Sequence, residues 1–252
     1  MIPATLPERI LFYCGAALYF SGALLLLLQA RRGGSERRPR LVLAFILLMW
    51  GTAHIVFGLQ EISGPTHYPM SVLTLLGGNV YIIVSLLYPL ELARPGWITP
   101  IRVAQLLLPF LVVAGIYFLV LGILGEPVRN LESLASMLTH IGEFNVWYRL
   151  VLYLSICFYL VYMFMNTGAA ALEADRLPGD PAPAPDRCRL RRLRIYGAVM
   201  VCISLAYLAI LLFSTPGIIF FHRTLSVLLF VLVALFAARC GAGTPSKSPA
   251  KP

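Results

Sequence analysis

Five polar side chains interrupt otherwise apolar runs of this sequence: His54, Asn79, Arg149, His222 and Arg223. Their chemistry is that of recognition. A guanidinium is a fixed positive charge whose donors fit a carboxylate or phosphate in bidentate fashion. Imidazole donates, accepts or carries a proton near neutral pH. The Asn79 amide offers both donors and an acceptor. Counted at 1.5 Å per residue from the ends of their apolar runs, His54, Arg149, His222 and Arg223 each lie about 6–8 Å inside one membrane face. Asn79 lies nearer the middle, directly after Gly77-Gly78. Ionisable groups at such depth are disfavoured unless they face a cavity or a partner. The set therefore predicts the lining of an outward-facing pocket for a small anionic or polar molecule, with Glu61 and Glu143 as the nearest acidic groups. Two other readings compete. The arginines can snorkel to the headgroups while the histidines bond neighbouring backbone, or His140, Glu143 and His222 can gather around a metal. The pocket reading needs neither metal nor cofactor.

A second group lies in Tyr88–Arg102, YPLELARPGWITPIR, where Pro89, Glu91, Arg94, Pro95 and Trp97 fall between two long apolar runs. The prolines limit helix continuation, and Trp97 suits a headgroup anchor. Glu91 and Arg94, three apart, predict an ion pair across one helical turn, worth only ~0.3–0.5 kcal/mol when exposed. The stretch is either an ordinary turn or a switch element that relays movement of the preceding span to a cytoplasmic partner.

Catalytic motifs are missing. The sequence holds no Gly-rich phosphate loop, no GxSxG, no HExxH and no CxxC. Lys247 and Lys251 both lie outside the apolar runs, which excludes a retinal Schiff base. Four scattered histidines fit poorly with a seven-helix zinc hydrolase. No catalytic residues are predicted.

The elements that must position these residues are membrane spans. Of 252 residues, 59% are hydrophobic and 12% charged, with mean hydropathy +0.83, too apolar for a soluble domain of this size. Seven runs approach the ~20 residues needed to cross hydrocarbon: Arg9–Gln29, Leu41–Leu59, Met70–Leu92, Val103–Leu124, Asn145–Met165, Ile195–Phe213 and Ile218–Ala238. The fold class is all-α, a polytopic seven-helix membrane protein. Basic residues alternate between its connections: five arginines in the first loop, two in the third, six in the fifth and three basic residues after the last span. Sixteen on that side against four on the other place the amino terminus outside and the carboxyl terminus in the cytoplasm. One transmembrane domain, residues 1–240, is then followed by a disordered cytoplasmic tail, 241–252.

Between spans four and five, Leu131, Leu134, Ala135, Leu138 and Ile141 recur at helical spacing after a capping Asn130. They predict a short amphipathic helix from Asn130 to about Ile141, flat on the outer surface. LPGDPAPAPD in the fifth loop is too rich in proline to be helical. The five cysteines fall in spans or on the cytoplasmic side, so no disulfide is expected.

LLYPLELARPGWIT, then LLLPFLV, then GEFNVWYRL at the head of span five resemble the multi-pass sensor half of bacterial membrane-bound regulators. In that family the spans precede an AraC-type helix-turn-helix or histidine kinase output domain. The resemblance covers most of Leu41 to Met165. It implies a bacterial inner-membrane protein that receives a signal at the outer face and passes it inward, without enzymatic activity. No output domain follows Arg239, so direct nucleic-acid binding is not expected, and a cytoplasmic regulator or kinase becomes the implied partner. The alternative is a small-solute transporter or permease subunit in which Gly77-Gly78 and Pro89 interrupt a helix along a transport path.

Overall fold

In the computed structural model, residues 6–31, 33, 36–63, 72–125, 131, 134–175, 184–213 and 216–240 are described, excepting the side chains of 6–8, 57, 60–63, 73–74, 134, 169–175, 184–187, 211–213, 216–217, 219 and 240. The Gly64–His67 turn, Asn130, the 241–252 tail and the Glu61 side chain lie outside this description. The helices are α1 (Leu6–Ala30), α2 (Arg37–Ser63), α3 (Val72–Ala93), α4 (Pro100–Leu124), α5 (Leu134–Thr139), α6 (Phe144–Asp175), α7 (Ala184–Phe213) and α8 (Pro216–Cys240). All but α5 are long and apolar enough to cross a membrane. No strand occurs among the described residues. Helices are what hydrocarbon demands, because each backbone N–H and C=O must be bonded within the protein.

Two groups of helices pack side by side. α1 lies against α2 and α8; α6 lies against α3 and α4. α3 and α7 join the groups, α3 touching α2 and both α3 and α7 touching α6, while α7 also rests on α8. The largest buried cluster follows this seam, with Leu43, Ile46, Leu47, Leu86, Tyr88, Tyr159, Tyr196 and Phe230 at its centre. On α4, Ile101, Leu108, Leu111, Ile116, Leu119 and Ile123 stand exposed, a face suited to lipid.

Most helix ends differ from the sequence-based spans because polar residues extend them. α6 continues past Met165 to Asp175, and α7 begins at Ala184 instead of Ile195. RCRLRRLR is thus the first part of a helix, and Ala184 and Pro185 of the proline-rich stretch form its first turn, where a missing N–H does no harm. α5 is shorter than predicted. Leu131 and Met137 are buried beneath it with Val146, whereas Leu138 points away at 60% exposure.

The expectation of no disulfide is corrected. Cys188, at the foot of α7, is disulfide-bonded, to a partner outside the described side chains; Cys14, Cys157 and Cys202 are free. That expectation rested on compartment alone, which says nothing about how closely helix ends approach.

Candidate functional site

The five polar residues of the outer half do not form one lining. They divide between the two helix groups. Asn79 is fully buried and ties α3 to α6: its amide nitrogen donates to the carbonyls of Leu75 and Leu152, both at 2.9 Å, and its oxygen accepts from the Ser155 hydroxyl. Toward the outer end of α6, Arg149 is 1% exposed. Its guanidinium donates to the carbonyl and side-chain oxygens of Asn145, at 3.2 and 3.3 Å. The Tyr117 hydroxyl from α4 donates to that same side-chain oxygen at 2.6 Å. Arg149 does not snorkel to the surface. It belongs to an interhelical bolt.

His54, His222 and Arg223 do come together, between α2 and α8 and against α1. His222 and Arg223 are neighbours on α8, and the Phe12 ring that Arg223 covers lies 6.0 Å from the His54 ring, centroid to centroid. Arg223 lays its guanidinium over the Phe12 ring of α1, 4.5 Å from the centroid, a favourable use of the ring's electron-rich face. His54 Nδ1 lies 3.0 Å from the Trp50 carbonyl. A carbonyl only accepts, so Nδ1 carries a hydrogen and the neutral ring keeps its lone pair on Nε2. That Nε2 is buried and has no hydrogen-bond partner among the described residues; the Tyr19 hydroxyl, whose ring centroid is 5.1 Å from that of His54, is in the same condition. Space here is tight. A Cβ added at Gly15 would stand 3.1 Å from His54 Cδ2 and 3.0 Å from a Val227 methyl. The Tyr207 ring lies tilted against His222, centroids 5.9 Å apart, and its buried hydroxyl has no hydrogen-bond partner among the described residues.

At the arginine-rich end, the Tyr88–Arg102 stretch is a closed structural unit. α3 stops at Ala93, and Gly96 takes a left-handed conformation (φ 81°) that a side chain would strain. Glu91 is 1% exposed, and its two carboxylate oxygens accept from the backbone N–H groups of Gly96 at 2.8 Å and Ile98 at 3.0 Å. The predicted Glu91–Arg94 pair is therefore replaced. Arg94 follows the last helical residue, its N–H still donating to Leu90 O at 2.9 Å, and its side chain is exposed. Trp97 is 7% exposed and part of the main core instead of a surface anchor. Thr99 caps α4 by accepting from the Arg102 N–H, with Pro100 in the first turn.

The arginines of this end also satisfy helix termini. Arg189 of α7 donates through two nitrogens to the last carbonyls of α3, Leu92 and Ala93. Arg40 reaches Gln29 O in the last turn of α1, and Arg192, 4% exposed, stands 2.6 Å from Glu36. Cations at helix carboxyl ends complement both the free carbonyls and the dipole.

Sequence reasoning missed Trp50, Ser85 and Tyr196, which connect the two ends. Pro89 has no N–H to return to Ser85 O; the Tyr196 hydroxyl donates to that carbonyl instead, at 2.8 Å. Trp50 Nε1 donates to Ser85 Oγ at 3.3 Å. The signal was present, since a proline inside an apolar run leaves the carbonyl four residues earlier in need of a donor. α3 runs unbroken through Gly77, Gly78 and Pro89. Among the described residues, no three His, Cys, Asp or Glu side chains gather where a metal ion could sit.

No protein-family model, no curated protein and no solved structure matches the chain.

Proposed function

We propose that this chain is a non-enzymatic seven-helix membrane receptor. It senses a small polar or anionic molecule at the α1–α2–α8 cluster and passes the change to a cytoplasmic partner at the arginine-rich turn. One observation supports this reading above others: a series of side-chain contacts, half-buried at Trp50, leads from the outer cluster toward the arginine-rich end. It runs from His54 to the Trp50 carbonyl, from Trp50 Nε1 to Ser85, and from the Ser85 carbonyl to Tyr196. Tyr196 packs on Tyr88 with ring centroids 5.0 Å apart, and Tyr88 lies against the charge of Arg192, which pairs with Glu36. Discrete contacts of this kind allow two arrangements of the same groups, which coupling requires. At the outer end, a ligand acceptor would satisfy the Tyr19 hydroxyl, a ligand donor would satisfy His54 Nε2, and a negative charge would meet Arg223.

The test is a panel of small carboxylates and phosphates added to the protein in nanodiscs. One of them raises the thermal midpoint of the wild type, fails to raise that of Arg223→Ala, and is not carried into proteoliposomes. Uptake of the stabilising compound would make the chain a transporter, and equal stabilisation of Arg223→Ala would remove the outer cluster from the account.

A further inference from the structure

A cavity of about 430 Å³ opens between α4 and α6 at the arginine-rich end, far from the outer cluster. Its walls are graded along the helix axes. Arg94, Arg102, Gln105 and Asn166 stand at one end, Pro109 and Phe158 at the other. Arg102 and Pro109 are seven residues apart on α4, which spans about 10 Å. The polar end is therefore at the membrane surface and the apolar end inside hydrocarbon.

The cavity has an identifiable cause in α4. Pro109 carries no N–H for Gln105 O, and, one residue on, a neighbouring side chain joins the ladder: the Tyr159 hydroxyl accepts from Phe110 N–H at 3.1 Å and donates to Leu106 O at 2.8 Å. A side chain of α6 thus stands in the hydrogen-bond ladder of α4, beside the space that remains open. The charge is positive. The Arg94 guanidinium has no hydrogen bond or ion pair among the described residues, and Arg102 uses one nitrogen on the Trp97 carbonyl at 3.3 Å. The nearby carboxylate of Glu91 is occupied by two backbone amides.

We infer that this cavity is a binding site for an anionic phospholipid of the leaflet that the charge asymmetry makes cytoplasmic. The phosphate sits between Arg94 and Arg102, glycerol oxygens meet Gln105 and Asn166, and the first acyl carbons lie along Pro109 and Phe158. Paired guanidinium groups match a phosphodiester, and basic pockets between spans at this surface attract anionic headgroups. A soluble phosphate would satisfy the arginines but leave the apolar end unfilled, so the gradient selects the lipid. This site shares Arg94, Trp97 and Arg102 with the turn at which the receptor reading places its partner, but it uses no residue of the outer cluster, so lipid binding and ligand sensing are tested separately.

Native mass spectrometry of the protein in neutral detergent tests it. Phosphatidylglycerol, phosphatidylcholine and glycerol 1-phosphate are added separately at equal concentration. The wild type should retain phosphatidylglycerol, with little phosphatidylcholine and no glycerol 1-phosphate, and Arg94→Ala/Arg102→Ala should bind phosphatidylglycerol about ten-fold more weakly or worse. Should that double variant fold poorly, Phe158→Trp, which fills the apolar end and leaves both arginines, should also lower retention. Equal retention of the two lipids, undiminished phosphatidylglycerol in the folded variants, or glycerol 1-phosphate binding as well as the lipid would overturn the assignment.

Discussion

Asn79 and His54 occupy the outer halves of adjacent helices, both buried, and they use their polar atoms in opposite ways. Asn79 is saturated: two carbonyls accept from its nitrogen and a serine hydroxyl donates to its oxygen. His54 bonds only the backbone of its own helix, and its Nε2 and the neighbouring Tyr19 hydroxyl have no partner among the described residues. A buried polar group without a partner is destabilising by about 1–3 kcal/mol. The α3–α6 cluster therefore explains itself as a fastening between helices. The α1–α2–α8 cluster does not, and its unfilled hydrogen-bonding capacity makes it the more promising place for a ligand. Burial and polarity alone do not separate fastening from recognition; completeness of bonding does.

The comparison can be broken by substitution, and the expected effects fall in order. Glu91→Ala, at the other saturated site, strands the amides of Gly96 and Ile98 and should lower stability in bicelles by roughly 2–4 kcal/mol. Asn79→Leu should lower it by roughly 2–3 kcal/mol in the same unfolding measurement, since it removes both hydrogen bonds between α3 and α6 at this site, although Ser155 and the Leu152 carbonyl keep each other. Gly15→Ala pushes a methyl against Val227 and His54, and thermal denaturation should register a loss of about 1–2 kcal/mol. His54→Phe should change stability by less than about 1 kcal/mol, because it removes one local bond together with an unpartnered nitrogen. If His54→Phe proves as damaging as Asn79→Leu, His54 is a fastening too and the contrast disappears.

The spans were legible because length and apolarity dictate them, and the arginine asymmetry orients them. Depth was legible as well, since a fixed rise per residue converts position into height. Neighbourhood was not. His54, Arg149, His222 and Arg223 share a level, but nothing in the sequence says that α6 packs on α3 and α4 while α8 packs on α1. One predicted lining thus became two clusters. Glu91 was misread because the i, i+3 rule considers only side chains, whereas the backbone amides of the turn after α3 take both of its carboxylate oxygens. Ser85 was within reach, had Pro89 prompted a search for the carbonyl it leaves free; Tyr159 was not, since it bonds Leu106 O and Phe110 N–H and not the Gln105 carbonyl that Pro109 leaves free.

The central claim is that the outer His54 cluster and the inner turn are physically joined through Trp50, Ser85 and Tyr196. Amide hydrogen exchange of the 94–99 segment tests it most directly, with the protein in nanodiscs and two matched variants. Trp50→Phe keeps an aromatic ring but removes the donor to Ser85, whereas Ser155→Ala removes one bond from the Asn79 fastening. The account predicts faster exchange of the Gly96 and Ile98 amides in Trp50→Phe and unchanged exchange in Ser155→Ala. Unchanged exchange in Trp50→Phe, or an equal increase in both, would contradict it.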